Sequence, residues 1–263
     1  MSSLPLPLPL TLPGPARRAA FSQILRNEAR LTWRMPVGLI GAIAIPMVLL
    51  IIFGELPAMR IHSPEFGGLT GFDVYVPILA VFGVALIALW GLPGPLVSYR
   101  ELGILRRLST TPVPRSWLLA AQVAIQLCIA LAAFGLVIVV SIAAFGAPVP
   151  ENPGGLALSF LLSAAGLFPL GLLIAATART TTGASVIGRL TFFPLMFFTG
   201  LWLPQALMPS VLHTISDYTP LGVAVQAIQA SMLQGFPPTR PLLVLAAYPL
   251  VFGYLARRLF RWE

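Results

Sequence analysis

The chain offers few side chains that could do covalent chemistry. Its two histidines, His62 and His213, stand alone, and neither sits in the HExxH pattern that sets two imidazoles on one helix face around zinc. No G-x-S-x-G elbow presents a serine nucleophile. Glu65 and Asp73 share a polar segment, where a pair of acids reads as solvated rather than catalytic. The single cysteine, Cys128, lies in an apolar run, so no intrachain disulfide and no cysteine-based metal cluster can form. All sixteen basic residues are arginine. A P-loop needs a lysine to reach nucleotide phosphates, so any ATP and magnesium chemistry is expected on another polypeptide. The chain is therefore expected to be no enzyme and to hold no cofactor of its own.

What it does offer is one polar interruption, residues 98–117, reading SYRELGILRRLSTTPVPRSW. Leu102, Leu105 and Leu108 recur at i+3, the spacing of an apolar stripe on a short helix. Arg100, Glu101, Arg106 and Arg107 make a polar rim, and Pro112 and Pro114 stop the helix. Such a stripe with a charged border suits docking to another protein. Two glutamines, Gln122 and Gln126, lie one turn apart in the next apolar run. They can hydrogen-bond a substrate or join helices. Phe192, Phe193, Met196, Phe197 and Phe198 form an aromatic and thioether cluster further on. It can line a path for greasy molecules or pack against lipid.

These groups must be positioned by membrane helices. The chain has 263 residues, 57% apolar and 9% charged, with a mean hydropathy of +0.91; soluble domains carry about 25% charged residues. So few charges cannot cover so much apolar surface in water. The fold class is an all-α membrane protein. Six stretches near 37–54, 74–96, 117–145, 156–178, 183–203 and 241–257 approach the roughly 20 residues that a crossing needs. Within lipid their backbone groups are satisfied only as helices.

The arginines order the crossings. Arg17, Arg18, Arg26, Arg30 and Arg34, the four of the polar interruption, Arg179, Arg189, and Arg257, Arg258 and Arg261 all fall on one side, leaving Arg60 and Arg240 opposite. Positive-inside then predicts both termini in the cytoplasm of an inner (plasma) membrane protein. The net charge of +8 reads as topology and lipid headgroup contact, not as nucleic-acid binding. The spans contain essentially no ionisable side chain apart from Arg189 near one end. A mid-span charge costs about 2.5–3.5 kcal/mol, and ion-coupled pumps retain such charges for function. Their absence favours a permease powered from outside.

Residues 1–15 alternate Leu and Pro and read as a disordered tail. Residues 16–34 read as an amphipathic helix on the membrane surface, with Phe21, Ile24, Leu25 and Leu31 near one face. Between the fifth and sixth spans, 204–240 predicts an external helical hairpin. Within it Thr219-Pro220 starts a helix that Gly235 ends. That helix lies at the outer interface or dips back into the membrane. Gly91-Leu92-Pro93-Gly94-Pro95 predicts a break in the second span just before the polar interruption.

The pattern Arg100-Glu101-x-Gly103-x-Leu105-Arg106-Arg107-Leu108 followed by Thr111-Pro112-Val113 resembles the cytoplasmic-loop motif of the ABC type-2 exporter permeases. It is most similar to their bacterial daunorubicin-resistance-type membrane subunits. Phe198-x-Gly200-x-x-x-Pro204, with Met208-Pro209 and Tyr218-x-Pro220, resembles the family's run from the fifth span into the external hairpin. The resemblance covers nearly the whole chain after residue 16, making 16–263 one ABC type-2 transmembrane domain. It implies two permeases, as a homodimer or with a paralogue, working with cytoplasmic ABC ATPase subunits that carry ATP and magnesium. The N-terminal helix and the 98–116 loop would dock on the ATPase through Arg100, Glu101, Leu102, Leu105, Arg106, Arg107 and Leu108. Substrate would pass between permeases along spans one, two and five, with Gln122, Gln126, Phe193, Met196 and Phe197 as candidate contacts. Gly200, Pro204, Pro209 and Pro220 would shape an external gate. The cargo class implied is amphipathic drugs or antibiotics. Lipids or glycoconjugates are the alternative cargo, and a lipid-modifying membrane enzyme is the alternative function.

Overall fold

A computed structural model describes residues 14–34, 36–104 and 114–259. Leu105, Arg106, Arg107, Leu108 and residues 1–13 of the expected tail lie outside the described residues; Gly14 and Pro15 already belong to the first helix. The helices are α1 (Gly14–Arg34), α2 (Pro36–Glu55), α3 (Gly71–Leu86), a π-helical turn (Ile87–Gly91), α4 (Pro93–Glu101), α5 (Arg115–Phe145), α6 (Pro153–Thr177), α7 (Thr181–Phe197), α8 (Ser210–Ser216), α9 (Pro220–Leu233) and α10 (Thr239–Leu259).

Among the described residues, four helices are long and apolar enough to cross a membrane: Gly71–Glu101, Ser116–Phe145, Pro153–Thr177 and Thr239–Leu259. Ile40–Glu55 and Pro220–Leu233 are apolar but shorter. The chain is thus a multi-pass helical membrane protein.

The first long helix is the hub. Gly71 to Glu101 forms one run of 31 residues, almost wholly buried along its most apolar stretch. Its start is fixed by a reciprocal cap. Thr70 Oγ1 accepts from Asp73 N at 3.1 Å, and Asp73 Oδ2 accepts from Thr70 N at 3.1 Å. Asp73 is therefore a capping acid and not a free loop carboxylate. Around this helix pack α2, α5, α6, α7 and α9. A core runs from Phe72 through Leu79, Leu86 and Leu92 to Val97.

The break predicted at Gly91–Pro95 does not occur. Leu92 keeps helical angles, φ −76° and ψ −43°, and its N–H donates to Ile87 O at 3.0 Å, the i to i−5 bond of a π turn. Pro93 and Pro95 bring no N–H, so the carbonyls of Leu89 and Gly91 lose their usual partners. Neighbouring helices meet those carbonyls. Gln126 Nε2 on α5 donates to Gly91 O at 3.3 Å. Gly188 on α7 comes so near that a Cβ there would lie 2.7 Å from Leu89 O. Gly171 on α6 approaches Ala88 O closer still, at 2.0 Å for a Cβ. The two glycines let backbone reach backbone, and the widened turn absorbs the prolines without ending the helix.

In the segment after span five, α9 is buried on nearly every side against α3, α6 and α10. Its Thr219 cap and its end at Gly235 (φ +94°) stand where predicted. Polar partners make its burial possible. Ser231 Oγ donates to Ala227 O at 2.8 Å, and Ser159 Oγ of α6 lies 3.2 Å from Ser231 Oγ.

Candidate functional site

One end of the bundle brings Arg100 and Arg179 together. The ends of α4, α6 and α10 border a groove of about 610 Å³ lined by Arg100, Glu101, Thr177, Arg179 and Leu259. Arg100 is structural here as well as charged. Its Nη2 donates to Ala175 O at 3.0 Å and also to Ala178 O. Both carbonyls belong to the last turn of α6, which has no intrahelical donors left and carries the negative end of the helix dipole. Arg100 thus clamps the foot of α4 to the foot of α6. Glu101 is exposed in the groove, and Leu102 is 66% exposed.

The helix ends here, earlier than the leucine stripe predicts. Gly103 takes φ +66°, and its N–H bonds Arg100 O at 3.1 Å. Leu102 therefore sits in the turn that terminates α4, separated from Leu105 and Leu108 by a left-handed residue. Glycine adopts that conformation without a side-chain penalty.

α1 braces the same end. Phe21 meets Trp117 of α5 edge to face at 5.8 Å. Glu28 is the residue that sequence reasoning passed over. It is 5% exposed, and Tyr99 Oη on α4 donates to its Oε2 at 2.6 Å. Burial pushes the Glu28 carboxyl above the usual range, while the Tyr99 bond pulls against that shift. A signal was present: Glu28 falls three and four residues after Leu25 and Ile24, inside the apolar stripe and not on the arginine face.

Above this brace lies a cavity of about 300 Å³ between α1, α2, the π turn, α4 and α5, lined by Leu31, Ala42, Ile87, Trp90, Tyr99, Gln122 and Gln126 among others. The two glutamines divide the alternatives left open by their spacing. Gln126 joins helices through Gly91 O. Gln122 is 2% exposed, and its Oε1 has no hydrogen-bond partner.

The aromatic cluster goes elsewhere. Met196 and Phe192 are buried, Phe193 is exposed, and Phe197 is half-buried against Phe198 at 5.5 Å. Phe193, Met196 and Phe197 do not line the glutamine cavity. Trp90 links the two regions, since it lines the cavity and packs on Phe192 with centroids 5.0 Å apart. Arg189 lies over the Trp90 ring at 6.0 Å.

At the opposite end, Gln205 is a second residue missed from sequence. Its Nε2 lies within hydrogen-bond distance of Phe198 O (3.1 Å), Ser216 Oγ (2.8 Å) and Gly222 O (3.3 Å). Gly200 (φ +94°), buried Pro204, Pro209 just before α8, and Pro220 in the first turn of α9 fold the chain around it. Asp217 then fastens the hairpin to α9 and α10. It accepts from Gln226 Nε2 at 2.7 Å and pairs with Arg240 at 3.3 Å and His213 at 3.5 Å. A glutamine between prolines in an apolar loop was the available signal.

The fold is a multi-pass helical bundle with a charged groove at one end and a hydrogen-bonded hairpin at the other. The ABC-2 type transporter family profile matches residues 19–233, and the chain belongs to that family. It is a membrane-spanning permease component of an ABC transporter. A comparison with curated proteins found no match.

Proposed function

We propose that this chain is the permease half of an exporter driven by a separate cytoplasmic ABC ATPase, with a second permease completing the pathway. The carrying observation is the continuous Gly71–Glu101 helix, buried through the bundle and ending in the arginine-rich groove. A push on Glu101 and Leu102 would travel along α4 through the π turn into the core and bias the permease between two states. The break predicted at Pro93 would have softened that path; the unbroken helix stiffens it.

In this reading the arginine-rich end faces the cytoplasm, α2 and α7 complete six crossings, and the bacterial inner membrane is the location. ATP and magnesium reside on the partner ATPase. Arg100, Glu101, Leu102, Leu105, Arg106, Arg107 and Leu108 form the docking site. Gly200, Pro204, Pro209 and Pro220 shape the outer gate. Gln122, Gln126, Phe193, Met196 and Phe197 border the path of amphipathic drugs or lipids, as in the daunorubicin-resistance-type branch.

The test is export by Glu101→Ala and Arg106→Glu, each co-expressed with the ABC ATPase subunit that co-purifies with the wild-type chain. Both should insert and assemble yet lose most ATP-driven efflux. Normal efflux by both variants would end the coupling role.

A further inference from the structure

We propose that the cavity beneath the π turn binds a planar amphiphile that donates an N–H or O–H hydrogen bond to Gln122 Oε1. The observation behind it is an unmet acceptor. Gln122 lines a space of about 300 Å³ and is 2% exposed, yet its carbonyl oxygen has no partner within the described residues. Buried polar atoms are nearly always paired, and an unpaired one marks a place where something else completes the bond. Gln126 does not supply the donor: its Nε2 donates to the Gly91 carbonyl that Pro95 left open and makes no bond to Gln122 Oε1. Tyr99 does not either, since its hydroxyl proton is committed to Glu28.

The walls define the rest of the ligand. Leu31, Ile87, Trp90 and Ile129 are apolar or aromatic, which suits a flat two- or three-ring body in a pocket at the small end of the usual range. The orphan atom is an acceptor, so a carboxylate, ester or ether gains nothing from it. A molecule with amino or hydroxyl donors fits that condition.

The location connects binding to movement. Ile87, Trp90 and Gly91 line the cavity and also form the π turn. A ligand held there presses on the joint between α3 and α4, the helix whose foot carries Arg100 and Glu101. That link to transport rests on the exporter reading above; the binding does not.

Binding is measured on the full chain in nanodiscs of zwitterionic lipid, with no ATPase present. Proflavine, a diaminoacridine, is titrated against acridine orange, whose exocyclic N–H groups are replaced by N-methyl. Fluorescence anisotropy should give proflavine about tenfold tighter binding, the size expected for meeting one buried acceptor. Gln122→Leu should bring the ratio of the two dyes close to one and leave the melting temperature unchanged or higher, because removing an unpaired acceptor costs no bond. Equal affinity of the two dyes for the wild-type chain would overturn the proposal, and would point to water serving Gln122. That comparison needs no variant. A clear drop in melting temperature for Gln122→Leu would also overturn it, by making Gln122 a structural donor or acceptor. Gln122-dependent proflavine binding without proflavine-stimulated ATP hydrolysis in the assembled complex would leave the site standing and count against the exporter reading alone.

Discussion

The two glutamines Gln122 and Gln205 sit at opposite ends of the same bundle and are treated in opposite ways. Gln205 is saturated: its amide nitrogen lies among two carbonyls and a serine hydroxyl, and Asp217 nearby holds three further side chains. Gln122 faces a cavity with a bare oxygen. At the foot of α4, Glu101 and Leu102 are exposed. The hairpin end is closed on itself by its own hydrogen bonds. Among the described residues the arginine end keeps Glu101 and Leu102 exposed. Under the proposed exporter function, that contrast separates a region that holds its shape from one that would receive a partner or a ligand.

The change that should break the molecule most severely lies between the two ends. At Gly171 a Cβ would stand 2.0 Å from Ala88 O, a backbone atom with no rotamer to yield. Gly171→Val should cost about 3 kcal/mol or more, because overpacking there forces α6 off the π turn. Thermal unfolding in nanodiscs would show a large loss of melting temperature. Wild-type stability would mean that the close approach of α6 to the turn is wrong, and with it the account of how Pro93 is accommodated.

The next prediction sharpens the comparison itself. Gln205→Leu removes the donor shared among Phe198 O, Ser216 Oγ and Gly222 O, leaving Phe198 O only the Ser216 hydroxyl, and should destabilise by about 1–3 kcal/mol, with faster amide exchange across 205–219. The same substitution at Gln122 is expected to be neutral or stabilising. Equal losses at both positions would erase the distinction between a closed end and an incomplete one.

Much of the fold was legible in the sequence because lipid leaves the chain few choices. Long apolar runs became helices, and Thr219-Pro220 and Gly235 bounded α9. The failures share a cause. Pro93 and Pro95 read as a break because the rule considers one helix at a time, whereas Gln126 and Gly171 come from helices 30 residues or more away in sequence. For α9 the sequence left the outer interface and a dip into the membrane both open, and it gave no sign that Gln226 is used by Asp217. The aromatic cluster read as one lining, yet helical turns of about 100° per residue send Phe192 inward and Phe193 outward.

The smallest expected effect concerns Glu28, the brace between α1 and α4 that supports the incomplete end. Burial raises its folded carboxyl above the unfolded value, which lies at about 4.3 for a free glutamate. Between those two values the folded chain holds more protons than the unfolded one, so stability falls as pH rises through the window. Docking of α1 should therefore be fully favourable below the unfolded value and weaken as pH climbs toward the folded one. Tyr99 is the hydrogen-bonding group across the interface, and Tyr99→Phe, which removes the one opposing contribution, should move the window upward. Amide exchange in α1, compared at each pH with Glu28→Gln to cancel the intrinsic chemistry of exchange, isolates the effect. The variant keeps an acceptor for Tyr99 but cannot ionise, so its protection relative to wild type should grow as pH rises. A constant ratio across the range would mean that Glu28 docks without titrating, and that the arginine end is set by Arg100 and its partners rather than by a carboxyl that responds to its surroundings.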